Sequence, residues 1–412
     1  MNYGYFDDKN KEYVITRPDT PSPWMNYLGN GKFSGMISNN AGGLVFDSDP
    51  GSHRITKYNH SGVPMDRPGH YLYLRDMDSG EYWSASWQPV MRDMQEYECR
   101  HGMGYTTIKG KYADISSCVT YFIPDGKNYE VWKAAVRNDS DRPRTLRTFS
   151  YMEFSFYDAM TDMLQEWSRY FSDCYWKDGS IIYDPSNELS DYERQYTFMT
   201  SSLPAVGYEC QRRAFLGDYR DESNPIGVER LTSTDVNADY VCGSICCEIT
   251  LGPGEEKEFI YAIGDAPSVG AVPALANEAT DLATAERDLA AVRAKWDRIL
   301  ARQQVSTPCP EMNTMLNVWH TYECRMTFNW SRFISYYERG VTRGFGFRDS
   351  MQDVLGAMYA CPEECKERIK LLLGIQLSAG DARCVYFPST GRAEGGGRSD
   401  DHLWSIFSVC TY

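Results

Sequence analysis

Val131-Trp132-Lys133-Ala134-Ala135-Val136, then Asn138-Asp139-Ser140, then the run 146–156, sets the architecture of the longer part of this chain. Short segments rich in branched and aromatic residues, broken by a cluster of turn formers, read as strand, turn and strand. The same punctuation recurs at Pro124-Asp125-Gly126 and Gly252-Pro253-Gly254. From the start to about residue 265 the chain therefore reads as many short strands forming a large antiparallel β-sandwich. Arg100-His101 reads as one of its turns. The stretch 154–176, rich in rings and acids, reads either as core or as a loop reaching a partner chain.

Near Pro267-Ser268-Val269-Gly270 the composition changes. Leu282, Leu289, Val292, Trp296 and Ile299 then recur on one helical face, as expected of a linker helix docked against a neighbour. After Pro308-Cys309-Pro310 everything reads as helix and loop. A first helix carries Met315, Leu316, Trp319 and Tyr322, and a second begins after Asp349. A third starts at Pro362 with Glu363 and Glu364 in its first turn, which suits both proline sterics and the helix dipole. Its later part, 369–377, is apolar nearly all round and is expected to be buried on both sides. A fourth starts near Asp401. The segments are thus 1–265, a sandwich; 266–307, a helical linker; and 308–412, a helical domain. The last ten residues, from Leu403 to Tyr412, carry no cap, glycine or polar tail, so the sequence is expected to be part of a longer polypeptide, with a natural split subunit that needs a partner chain as the alternative.

With 412 residues the chain is too long for one compact core. A formal charge of −15 argues against binding nucleic-acid phosphates or an anionic membrane surface, because the long-range field repels both. No run of about 18 apolar residues is present, so no membrane span is expected. The N-terminus lacks the basic-then-apolar layout of a signal peptide. Thirteen cysteines are scattered without a C-x-x-C pair, and even the dense group Cys242, Cys246 and Cys247 has no nearby histidine. They read as buried thiols in a reducing, cytoplasmic setting rather than as metal ligands.

Arg343-Gly344-Phe345-Gly346-Phe347-Arg348-Asp349 carries the candidate chemistry. Gly344 and Gly346 let the backbone turn sharply or approach a ligand closely. Arg343 and Arg348 offer forks of N–H donors suited to vicinal hydroxyls, carboxylates or phosphate. Met351, Val354, Leu355 and Met358 mark one helical face behind them. Two readings stand at this point. Asp349 and Gln352 have the spacing of a capping box, with an arginine neutralising the carboxylate. Alternatively, Arg343, Arg348 and Asp349 form a polar ligand site. Elsewhere, 391–397 is glycine-rich but lacks the ending of a P-loop and reads as a mobile loop. His402 beside Asp401 reads as a buried, hydrogen-bonded histidine, with a proton relay as the alternative.

The seven-residue stretch resembles the first sugar-binding segment of the cellobiose phosphorylases in glycoside hydrolase family 94. The likeness extends along the chain in order. Tyr5-Phe6-Asp7-Asp8-Lys9-Asn10 and Pro23-Trp24-Met25-Asn26-Tyr27-Leu28-Gly29 resemble the family's opening. Arg67-Pro68-Gly69-His70-Tyr71, Phe215-Leu216-Gly217-Asp218-Tyr219 and Ser399-Asp400-Asp401-His402-Leu403-Trp404 continue it. The resemblance implies a β-sandwich, a linker helix and the first helices of an (α/α)6 barrel. It also implies a homodimer and inverting phosphorolysis of cellobiose to α-glucose 1-phosphate and glucose. Inorganic phosphate is then the co-substrate, and no cofactor or metal is expected. Arg343 and Asp349 would hold hydroxyls of the non-reducing glucose, and Arg348 would help them or reach phosphate. The family's general acid is an aspartate beyond the segment ending at Trp404, so none of Asp349, Asp353, Asp400 and Asp401 takes that role. Laminaribiose, cellodextrin, chitobiose or cellobionic acid are alternative substrates within the family. A non-catalytic carbohydrate-binding subunit is the alternative outside it.

Overall fold

The computed structural model describes residues 2–29, 31–59, 66–156, 159–164, 166–185, 194–330, 344–387, 390–396 and 398–412. Two compact units emerge: Met1–Asp47 with His53–Val292, and Ser48–Ser52 with Arg293–Tyr412.

The first unit is a large antiparallel sandwich. One sheet has eleven strands and faces another of five. In the larger sheet, Glu96–Gly102, Tyr105–Tyr112, Ile115–Phe122 and Tyr129–Asn138 run as a meander, and Glu256–Ala266 pairs with the last of these. In the smaller sheet Val241–Leu251, Arg144–Tyr151 and Tyr71–Asp76 lie side by side. Val119, Trp132, Ala134 and Tyr261 from the large sheet share a core with Leu72, Phe149, Ile245 and Cys247 from the small one. The Tyr261 hydroxyl lies 2.8 Å from Thr148 Oγ1 on the facing sheet, so a phenol that would be costly to bury alone is satisfied across the core. Burial pushes the thiol of Cys246 up to about 12, which keeps it protonated and chemically quiet.

The opposite face of the large sheet is also covered. Phe122, Tyr129, Val131, Ile260 and Ala262 pack against Val272, Ala276 and Ala279 of the Val272–Ala279 helix and Ala285 of the Leu282–Leu300 helix. This is why 131–136 is apolar at both alternating sets of positions, with Lys133 the one break: a strand buried on both faces has little polar side to show. In the second unit the far end of the Leu282–Leu300 helix buries Trp296, whose ring lies 5.1 Å from that of Tyr322.

Four expectations are corrected. Arg100-His101 lies within the Glu96–Gly102 strand and not in a turn. Arg100 ties neighbouring strands together through Glu12 at 2.9 Å and Asp7 at 3.1 Å, while His101 points inward to Thr106 Oγ1 at 2.9 Å. Burial lowers the pKa of His101 to about 4, so its ring is neutral. In the helical unit, a π-helical turn, Met315–Trp319, separates the helices Pro310–Thr314 and His320–Trp330. The wider turn rotates the buried face, exposing Leu316 and burying Val318. In 369–377, Ile369 and Leu372 are buried, but Leu371, Leu373 and Leu377 are exposed. Finally, the helical unit is not wholly helix and loop. Phe345–Gly346, Val385–Phe387 and Arg392–Glu394 form a small antiparallel sheet, which places part of 391–397 in a strand. Among the described residues no helix is long and apolar enough to cross a membrane.

Arg144 and Asp76 form an ion pair at 2.6 Å with both side chains almost wholly buried. Arg144→Met strands a buried carboxylate, and a loss of about 3 kcal/mol is expected in urea unfolding. Lys133→Met, at a more exposed pair with Glu258 and Glu286, is expected to cost under about 1 kcal/mol in the same measurement.

Candidate substrate-binding site

The segment 344–349 is held by close backbone packing. Phe345 pairs with Tyr386 and Gly346 with Val385, and the Phe347 amide donates to the Cys384 carbonyl at 2.9 Å. A Cβ on Gly344 would run into the carbonyl oxygen of Tyr386. Glycine is required here for close approach, as the sequence suggests. Phe345 is buried under the guanidinium of Arg368, which stands 4.0 Å from the ring centre. Burial lowers the pKa of Arg368 to about 10, which leaves it charged near neutrality.

The helix begins at Phe347, three residues earlier than expected, with Gly346 at the N-cap and no side-chain cap bond. Asp349 is therefore the third residue of the helix and not its cap. The capping box with Gln352 is not formed in that register. A Cβ on Gly346 would meet Asp349 Oδ2, so the carboxylate folds back over the N-cap glycine. It is largely buried in the first turn, where the helix dipole favours its negative charge.

Arg348 lies beside this carboxylate, its Nε 3.9 Å from Asp349 Oδ1. Its Nη1 donates to Asp400 Oδ2 at 3.1 Å. Hydrogen bonding to Asp400 raises the Arg348 pKa, and the same bond holds the Asp400 carboxyl below its ordinary range. The structure thus brings together Arg348, Asp349 and Asp400, at the starts of the helices Phe347–Ala357 and Asp401–Thr411. Ser408 Oγ donates to the Met351 carbonyl at 2.7 Å and locks these two helices side by side. Arg343 lies outside the described residues.

Two partners were not assigned from the sequence. Asp400 lies within a stretch whose likeness to the family is visible, yet nothing in its spacing pairs it with Arg348. Asp401 is buried, with Cys384 Sγ donating to its Oδ2 at 3.4 Å and no hydrogen bond at Oδ1. His402 is half-buried and its Nδ1 makes no hydrogen bond, so the expected hydrogen-bonded core histidine is not formed through that nitrogen. Among the described residues the site offers the Arg348 guanidinium and adjoining carboxylates on a fixed rim. Such a set can orient a polyhydroxylated ring by donating to some hydroxyls and accepting from others.

Residues 11–282 match the glycosyl hydrolase 94 supersandwich domain, and residues 295–412 match the catalytic domain of the glycosyl hydrolase 94 superfamily. The chain belongs to the glycosyl hydrolase 94 family. It is 39% identical to the N,N'-diacetylchitobiose phosphorylase of Vibrio proteolyticus, over all of this chain and 55% of that protein. The enzyme of the same name from Vibrio furnissii is also 39% identical, over 94% of this chain and 49% of its own length. The solabiose phosphorylase of Paenibacillus borealis is 28% identical, over 93% and 49%. The chain thus spans about half the length of the curated relatives it matches. In fold it is similar to a bacterial glucoamylase complexed with acarbose, with a TM-score of 0.57 at 10% identity over 96% of this chain and 58% of that one.

The close contact at Gly344 gives a direct test of how tightly this segment is held. Gly344→Ala is expected to destabilise the helical unit by about 2 kcal/mol in thermal unfolding, since a backbone carbonyl must move. Gly374→Ala, on the Pro362–Gly374 helix with open space around it, is expected to stabilise by about 0.5 kcal/mol.

Proposed function

We propose that the polypeptide carrying this chain is a glycoside phosphorylase that cleaves N,N'-diacetylchitobiose with inversion, using inorganic phosphate. The observation that carries this reading is the 39% identity, along the full chain, to an N,N'-diacetylchitobiose phosphorylase. The motifs by themselves suggest cellobiose. The relatives favour the acetamido sugar within the same reaction class, whereas similarity to a cellobionic acid phosphorylase is only 22%.

In the reaction proposed, a phosphate oxygen attacks the anomeric carbon from the face opposite the leaving sugar. The C1–O4 bond breaks, C1–O–P forms, and a general acid delivers a proton to O4. Phosphate is already a competent nucleophile, so the second carboxylate of an inverting hydrolase is not needed. The acid would come from polypeptide beyond this sequence. Within it, Asp349 would accept hydrogen bonds from hydroxyls of the non-reducing ring, and Arg348 would donate to the ring or to phosphate. Arg343 would complete the set. The Arg348–Asp400 bond supports a positioning role for the guanidinium, because a held fork costs less order on binding than a free one.

Phosphate release in the synthetic direction tests the substrate. N-acetyl-α-glucosamine 1-phosphate with N-acetylglucosamine is expected to react at least about tenfold faster than α-glucose 1-phosphate with glucose. The reverse order would return the reading to cellobiose. Binding of either sugar without phosphate release would instead favour a non-catalytic subunit. For the rim, Asp349→Ala is expected to lower kcat/KM about a hundredfold or more, as ring hydroxyls lose their acceptor. Retention of kcat/KM with a small loss of thermal stability would make Asp349 only a helix-dipole residue.

A further inference from the structure

We infer that Asp47, His53 and Asp265 form a structural site for a divalent first-row transition cation in the sandwich unit. All three residues are buried, and one donor atom from each lies within 4.8 Å of the others. Asp47 ends the strand Gly43–Asp47, and Asp265 is next to last in Glu256–Ala266. His53 returns from the turn after Asp47, which closes through the Asp47 amide donating to the His53 carbonyl at 3.0 Å. Two sheets therefore converge on one point, since the two strands belong to different ones.

The geometry at His53 and Asp265 separates a metal edge from an ordinary ion pair. His53 Nε2 lies 3.0 Å from Asp265 Oδ2, yet Oδ2 accepts no hydrogen bond. The two atoms are side by side rather than donor-to-acceptor. Two ligands each about 2.1 Å from one cation are about 3.0 Å apart at the right angles of octahedral coordination, as for Mn2+, and about 3.4 Å apart at the tetrahedral angle of Zn2+. The carboxylate is also oriented from behind, as ligating carboxylates are: Thr197 Oγ1 donates to Asp265 Oδ1 at 2.7 Å and leaves Oδ2 directed at the imidazole. A cation there would join the end of the Glu256–Ala266 strand to Gly43–Asp47, the edge strand of a separate three-stranded sheet. The donor set of two carboxylate oxygens and one imidazole suits Mn2+ or Zn2+ better than Ca2+ or Mg2+, which favour oxygen alone.

Metal content and stability test this together. The protein is stripped with a chelator, then titrated with Mn2+, Zn2+ and Ca2+ while bound metal and the unfolding midpoint are followed. One equivalent of Mn2+ or Zn2+ per chain is expected, with a rise of about 5 °C in the sandwich's midpoint at about a hundredfold excess over Kd. Asp265→Asn is expected to weaken uptake at least about tenfold. Thr197→Val keeps all three donors and is expected to weaken it about tenfold, so the test survives if Asp265→Asn fails to fold. Co2+ absorption bands that change in His53→Gln would mark the imidazole as a ligand. No uptake and an unmoved midpoint would overturn the proposal, leaving only a buried contact between His53 and Asp265. Uptake undiminished in both Asp265→Asn and Thr197→Val would also overturn it, by placing the ion elsewhere.

Discussion

The sandwich unit depends on one constraint, that its central strands are buried on both faces. Along Tyr129–Asn138, Val131 faces the helices while Trp132 faces the small sheet, and each is almost fully removed from water. A slip of one residue would exchange these two environments, so the register is fixed by packing as well as by hydrogen bonds. Lys133, on the helix-facing side, is tied off by Glu258 at 3.0 Å and Glu286 at 2.9 Å where the cover ends. Tyr261 makes the same point from the neighbouring strand, with its ring in the shared core and its hydroxyl at Thr148 on the opposite sheet.

Double burial also explains which parts of the fold the sequence made legible. The strands around Trp132 were recognisable because turn clusters bound them, even though burial on both faces removed their alternation. The face of the linker helix was readable because Val292 and Trp296 keep a helical period. What failed to show has local causes. The π turn at Met315–Trp319 breaks the period that would have assigned Leu316 to the core. A two-residue strand such as Phe345–Gly346 has no period at all. Arg100 and His101 resemble a turn because both are polar, but alternate pleat positions send one to an ion-pair network and the other to a buried hydrogen bond.

At the candidate site, residue types were legible and geometry was not. The glycines indicated close approach, and Gly344 packs against the Tyr386 carbonyl. The helix start could not be placed, because Asp349 suits both the N-cap and the first turn on chemical grounds. What decides it is tertiary: the Phe347 amide is taken by the Cys384 carbonyl, so the chain enters the helix at that residue. The partnership of Arg348 with Asp400 was equally hidden, since helices distant in sequence meet only once packed.

The support beneath this segment is electrostatically unfavourable. Arg368 is buried enough to have its pKa lowered, so the fold bears a desolvation cost there. The cost is offset by the ring faces of Phe345 and Phe328, at 4.0 and 4.7 Å, and by the Phe328 carbonyl at 3.2 Å. Arg325 is more deeply buried, paired with Glu364 through one nitrogen and leaving Nε and Nη1 without hydrogen-bond partners. Apolar side chains of similar volume would stabilise the same helices at least as well. What a guanidinium adds is direction, because its plane fixes a ring on one side while its donors fix a carbonyl on the other. Phe345 is thereby held from above by Arg368, and Gly344 from the side by Tyr386. Asp349, four residues beyond Phe345, inherits a backbone position with little freedom left. For the proposed role that restriction matters, since a rim meeting several hydroxyls at once would lose each hydrogen bond with a displacement of about an ångström.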